Sequence, residues 1–299
     1  MFFESKDKRI EITELTLADN LSTYHSVITF ASPAKLYTND GRIAINNTSG
    51  KIDVSVESQE LMDNGLMKVC CVTKAIHNAF NSTTNGFNGW TTINKLFSKL
   101  GYEYKSNFAS NNTYFSIPQS SVVGLFDKLT ECASFANGGG AHFYMQSDGV
   151  IYGYDYKLIK DKSKPKVING QIVSECIELD WLDYIPSQYE LLYWNNENKF
   201  KRESLVFEKG FGKMVVYIND TTGIYKEVKK QELSNLFYNK WYSSHKVLVG
   251  TADEVNLGDL VNLNNLGNTY IVKGINMSYT EVQATPSVTI ELVSNPKFE

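Results

Sequence analysis

Residues 90–108, WTTINKLFSKLGYEYKSNF, and residues 114–156, YFSIPQSSVVGLFDKLTECASFANGGGAHFYMQSDGVIYGYDY, are where the hydrophobic period of the chain changes. Trp90, Ile93, Leu96, Phe97 and Leu100 recur at helical spacing and predict one amphipathic helix, with Thr91 or Asn88 as its cap and Gly101 as its stop. A polar loop and a short strand over Thr113–Ile117 follow, closed by Pro118. A second helix is predicted from Ser120 or Ser121, with Val122, Leu125, Phe126, Leu129 and Ala133 on one face and Gly138-Gly139-Gly140 ending it. The runs HFYMQ and VIYGYDY then flank Ser147-Asp148-Gly149, a turn that admits a left-handed residue, and read as a hairpin.

Upstream of this helix–strand–helix–hairpin block the period is two. Ile10–Leu17, Tyr24–Phe30, Arg42–Asn46, Ile52–Val56 and Leu66–Thr73 alternate apolar and polar residues, and Asp40-Gly41 and Asn64-Gly65 are expected to be turns between them. The polar stretch FNSTTNGFNG over 80–89 starts the block, and KDKSKPK over 160–166 reads as a solvated linker closing it. Downstream, strand patterns return at Ile172–Leu179, Tyr189–Tyr193, Ser204–Phe207 and Lys213–Ile218, with turns at Asn195-Asn196 and Lys209-Gly210. A third helical signal lies between Lys226 and Ser244. A meander follows through Leu260–Leu263, Tyr270–Lys273, Ile275–Tyr279 and Val288–Val293. The expected organisation is β over 1–78, an α/β insert over 79–158 and β again over 159–299, an α+β and mainly β chain.

A formal charge of −4 provides no basic field for phosphates, so sequence-specific nucleic-acid binding is not expected. No apolar run reaches the roughly 20 residues that span a bilayer, and MFFESKDKRI lacks the apolar core of a signal peptide, so neither stable membrane insertion nor secretion is expected. Cys70, Cys71, Cys132 and Cys176 form no CxxC pair and fit a reduced compartment. Walker A, GxGxxG, HExxH and GxSxG motifs are absent. Glycines 138–140 follow a helix, whereas a phosphate cradle precedes one. His25, His77, His142 and His245 are scattered. Asp180 and Asp183 flank Trp181, but a carboxylate pair acting on glycosides must also have the right separation. No catalytic, cofactor-binding or metal-binding residue is predicted, and the chain is expected to be a structural protein rather than an enzyme. Its 18 Tyr and 16 Phe leave a β-rich carbohydrate- or receptor-binding module as the alternative.

The two quoted stretches, taken with KKQELSNLFYNKW, VNLGDLVNLNNLGNTYIVKGINMSY and VTIELV, resemble the hub proteins of bacteriophage tail baseplates and tail tips. That family includes the late-control tail proteins and the N-terminal part of type VI secretion spikes. Trp90, Gly101, Gln119, Phe126, Leu129, Asp148 and Gly149 carry the likeness in the insert. Gly258, Asp259 and Val261 carry it in a "Gly-Asp-x-Val" strand, and Tyr270, Ile271 and Val272 in a "Tyr-Ile-Val" strand. The resemblance implies two tube-type β-barrel domains around a small α/β insert. It also implies a homotrimeric ring joining a sixfold tail tube to a threefold spike or tail-tip protein, among other baseplate proteins, and letting DNA pass. Such a chain would fold in the host cytoplasm and reside in the virion. The family's secretion spikes continue into a needle, so this chain is expected to be the hub alone, with no cofactor.

Overall fold

The computed structural model describes residues 1–6, 8–45, 51–136, 141–177, 188–194, 197, 199–206, 212–218, 229–230, 233, 243–249, 255–263, 269–280 and 285–294. The first strands are β1 (Phe2–Glu4), β2 (Arg9–Glu11), β3 (Glu14–Asn20), β4 (Val27–Ser32), β5 (Asp40–Ala44), β6 (Lys51–Leu61) and β7 (Met67–Thr73). They pair in the order β3-β4-β7-β6-β5-β1-β2, all antiparallel. The sheet wraps a core that includes Phe3, Ile12, Leu15, Phe30, Ile43 and Val54. Alternation turns Leu15, Phe30, Ile43 and Val54 to that core. Gly65 takes φ +81 in the β6–β7 turn, as expected for Asn64-Gly65. Asp40-Gly41, however, is not a turn. Both residues pair inside β5, and a Cβ on Gly41 would collide with the Phe3 ring, which explains a glycine there.

A helix leads into the polar stretch over 80–89. α1 (Lys74–Asn81) continues directly from β7, capped by the Thr73 side chain. Then come β8 (Thr83–Thr84), β9 (Phe87–Thr91), α2 (Ile93–Leu100), β10 (Tyr104–Lys105), β11 (Thr113–Ile117), β12 (Ser120–Ser121), α3 (Val122–Cys132), β13 (Ala141–Met145), β14 (Ile151–Asp155) and α4 (Tyr156–Lys162). Both predicted helices form, with two corrections. The Thr92 side chain accepts from Lys95 N and caps α2, so Trp90 stays on β9 and is exposed rather than on the helix face. α3 ends at Ala133, whose backbone is extended, before the glycine run; residues 138–140 lie outside the described residues. Part of the predicted linker is helical, since Asp155 accepts from Leu158 N and starts α4. Phe97, Phe126, Leu129, Phe143 and Phe115 are fully buried in one core, each contributing roughly 2–3 kcal/mol of burial.

The last part comprises β15 (Lys166–Ile168), β16 (Gly170–Ile177), β17 (Gln188–Trp194), β18 (Phe200–Val206), β19 (Lys213–Ile218), β20 (Ser243–Val249), β21 (Leu260–Leu263), β22 (Thr269–Thr280) and β23 (Ser287–Ser294). β16, β20, β23 and β22 pair in that order, and β22 then pairs with β3 from Gly274 opposite Asn20 to Thr280 opposite Glu14. Strands of both β regions are therefore joined in one sheet, of 13 strands among the described residues. Among the described residues no strand pair closes either half into a ring; the pairing runs as an open path from β16 to β2, with β15 and β21 branching from it. β22 joins the two predicted strands at Tyr270–Lys273 and Ile275–Tyr279, and a bulge between Val272 and Gly274 shifts its register. β17, β18 and β19 form a separate sheet, with β17 in the middle. Most of the third helical signal and the turns at 195–196 and 209–210 lie outside the described residues; within that signal, 229–230 and 233 are helical.

Candidate functional site

The insert is fastened to the sheet at two joints, and the residues of the recognised pattern concentrate there. At the first joint the hairpin of β13 and β14 reaches the first sheet. Gly149 takes φ +86, and the Asp148 carboxylate accepts from Val150 N at 3.0 Å. That tight tip lets Thr73 Oγ1 donate to the Ser147 carbonyl at 2.6 Å, at the start of α1. One strand further in, Tyr144 donates its hydroxyl proton to Asp19 Oδ1 at 2.5 Å, and Ser26 Oγ donates to the same oxygen at 2.6 Å. Burial, and then the charge of Asp19, push the Tyr144 phenol far above its usual value. This is a fixed polar contact between the insert and the sheet. His25 Nδ1 contacts the Ser26 carbonyl rather than its hydroxyl.

At the second joint, Gly258, Asp259, Val261, Tyr270, Ile271 and Val272 come together as one hairpin. Gly258 N donates to the Val272 carbonyl at 2.8 Å, Val272 N donates to the Asp259 carbonyl at 2.9 Å, and Val261 pairs with Tyr270. Gly258 takes φ +78, and a Cβ there would lie 2.8 Å from the Tyr154 ring of β14. Two physical demands thus require the same glycine. Asp259 Oδ2 accepts from Asn256 N at 2.7 Å and from Lys166 Nζ at 2.6 Å, tying this hairpin to β15. Leu260, Ile271 and Val293 pack with Leu21, Tyr156 and Ile159 in a core shared by sheet and insert. A cleft of about 580 Å³ opens beside this joint with Lys105, Lys164 and Lys166 on its rim. Lys166 is engaged by Asp259 and Lys105 by Glu103.

The other pattern residues have separate roles. Gly101 takes φ +84 and ends α2, with Tyr102 N donating to the Phe97 carbonyl at 3.0 Å. Phe126 and Leu129 fill the insert core, Gln119 is exposed in the bend between β11 and β12, and Trp90 meets Tyr114 edge-on at 5.7 Å. None of these residues is in a chemical cluster. Among the described residues no group of three His, Cys, Asp or Glu could hold a metal ion. No described helix is long and apolar enough to cross a membrane. Asp180, Trp181 and Asp183 lie outside the described residues.

Sequence reasoning missed an exposed apolar surface on the β17 sheet. One face packs Tyr189, Leu191 and Ile218 into a small core. The other carries Trp194, Phe200, Val206, Val215 and Tyr217, all exposed. Glu190 is buried in that outer face beside Arg202 and Lys213, which together hold its carboxyl below the usual range. Trp194 and Phe200 meet at an interplanar angle of 68°, so they do not form a flat stacking platform. The signal for this face was the run MVVYI over 214–218, which carries no charge.

No protein-family model matches the sequence, and no curated protein matches it. Solved structures do. A tail protein from Neisseria meningitidis MC58 aligns over 99% of this chain and 97% of its own, with a TM-score of 0.63 and 14% identity. The 43 kDa tail protein of prophage MuSo2 from Shewanella oneidensis covers the same shares at 0.62 and 12%. Prophage tail protein gp18 from Listeria monocytogenes EGD-e aligns over 98% of this chain and 94% of its own at 0.58 and 10%. Such identities speak to fold, and the alignments run nearly end to end on both sides. From sheet to insert to sheet, the chain has the fold of bacteriophage tail proteins.

Proposed function

We propose that the chain is a non-enzymatic structural hub of a phage tail baseplate or tail tip. Three copies form a ring that joins a sixfold tail tube to a threefold spike or tail-tip protein and lets DNA pass. The observation that carries this reading is the nearly end-to-end sharing of fold with three tail proteins. Regions 1–78 and 159–299 act as the two tube-type modules, each with its own core, and 79–158 is the insert. Two such modules per chain, repeated three times, match a sixfold tube while retaining threefold symmetry. The pattern residues at the two joints, Asp148, Gly149, Gly258 and Asp259 among them, hold the insert at a fixed angle to those modules. A wall poor in Lys and Arg would let DNA slide without sticking, and the net charge of −4 is compatible with that.

Light scattering on the purified protein over a concentration series tests the ring. A mass of three 33.8 kDa chains, or a multiple of three, is expected. A chain that remains a monomer with its tail-tube and spike partners present, and binds glycans instead, would overturn the hub in favour of the receptor-binding module.

A further inference from the structure

Sheet edges expose unpaired N–H and C=O groups, and proteins that avoid self-pairing blunt them with charge, shortness, proline or bulges. Among the described residues the large sheet ends in β2, β16 and the branch strand β15, and the β17 sheet in β18 and β19. Four of these edges are blunted. β2, Arg-Ile-Glu, and β15, which begins with Lys166, are each three residues long. β16 has a register shift between Ile172 and Ser174, leaving Val173 as a bulge. β18 carries Lys201, Arg202 and Glu203 side by side.

β19 has one charge, Lys213 at its first residue, which is engaged by Glu190, and none of the other devices. After Lys213 it runs Met214, Val215, Val216, Tyr217, Ile218, without charge, proline or a register shift against β17. Met214 projects from one side of the sheet and Val215 and Tyr217 from the other, and they are 50%, 44% and 77% exposed, so neither face next to this edge is sealed.

We propose that the β19 edge is a pairing site for a second copy of this chain, which adds its own β19 antiparallel across a twofold axis. Self-complementarity selects that occupant. In the register centred on Val216, Val216 faces its twin, Val215 faces Tyr217 twice, and Met214 faces Ile218 twice. Every pair is aromatic or aliphatic, and no like charges meet along the strand. The joined sheets would extend the outer face bearing Trp194, Phe200, Val215 and Tyr217 across both copies. A glycan is the poorer fit, because the 68° angle between Trp194 and Phe200 gives no flat platform and Glu190 already engages Arg202 and Lys213.

This contact is twofold and separate from the threefold ring, so the two can fail independently. The test compares the mass of wild type with that of Val215→Lys by light scattering from about 1 to 200 µM. Lysine replaces an exposed valine, leaves the inner core untouched and faces Tyr217 in both halves of the pair. The wild type is expected to reach twice the mass of the variant, whether the variant is one chain or three, and the variant's self-dissociation constant to rise about tenfold or more. Equal masses for a folded variant and wild type over the whole range overturn the proposal. If the variant does not fold, a peptide of residues 212–219, GKMVVYIN, is added in excess to wild type. Halving of the mass supports the edge pair, and an unchanged mass overturns it.

Discussion

Replacing Tyr144 by Phe tests the joint between insert and sheet with minimal change of shape. The ring is fully buried and would be retained, so the substitution removes one hydroxyl and opens almost no cavity. That hydroxyl sits 2.5 Å from Asp19 Oδ1 and 2.8 Å from Ser26 Oγ, and a hydrogen bond to a charged group contributes about 1.5–3 kcal/mol. Asp19 keeps its bond from Ser26 at 2.6 Å, which places the expected loss near 2 kcal/mol. With an m-value near 3 kcal/mol/M, the urea midpoint followed by fluorescence falls by about 0.7 M. The pH dependence has a definite sign. The folded phenol titrates far above the unfolded value near 10, so its contribution is full below that value and is lost as pH rises past it. The gap between wild type and Tyr144→Phe should therefore narrow in alkali. A midpoint within about 0.1 M of wild type at neutral pH would refute the claim that this contact fastens the insert.

Gly258→Ala should cost more than Gly101→Ala, measured by the same urea unfolding. Both glycines have positive φ, worth about 1–2 kcal/mol, but only at Gly258 would the new methyl also strike a ring, adding about 1–3 kcal/mol. Glu190→Gln should flatten the acid limb of stability. The wild-type carboxyl is held low by Arg202 and Lys213, so its contribution is present above the unfolded value and lost as pH falls through the folded one; a pH series of urea midpoints reads this directly. Trp90→Ala, on an exposed strand position touching Tyr114 edge-on, should cost no more than about 1.5 kcal/mol and leave the helical circular dichroism intact, which a tryptophan buried on a helix face would not.

Most strands of the first sheet and the hairpin at Asp148-Gly149 were legible because alternation and turn chemistry are local signals, whereas β1 gave no signal and the run Ile10–Leu17 is divided between β2 and β3. α1 was not: it has eight residues, no break separates it from β7, and its first five residues fell within the region 1–78 read as β. Trp90 fell at helical spacing from Ile93, and only the hydrogen bond from Lys95 N to the Thr92 hydroxyl shows where α2 begins. The likeness at Gly258-Asp259 was visible as a pattern, but its reason depends on Tyr154, more than a hundred residues earlier. The merging of both β regions into one sheet left no local mark. It rests on β3 meeting β22, a pairing that period-two patterning permits without specifying.

That meeting has a consequence for biosynthesis. β3 is flanked by β4 from its own half and by β22, and β22 is made only after some 250 further residues have been translated. Until then the growing chain exposes an open ladder at β3, and sequence-distant pairings of this kind close slowly. The ribosome thus releases a protein whose first half has waited for its last strands, an interval in which newly made copies at high local concentration can exchange those strands with one another.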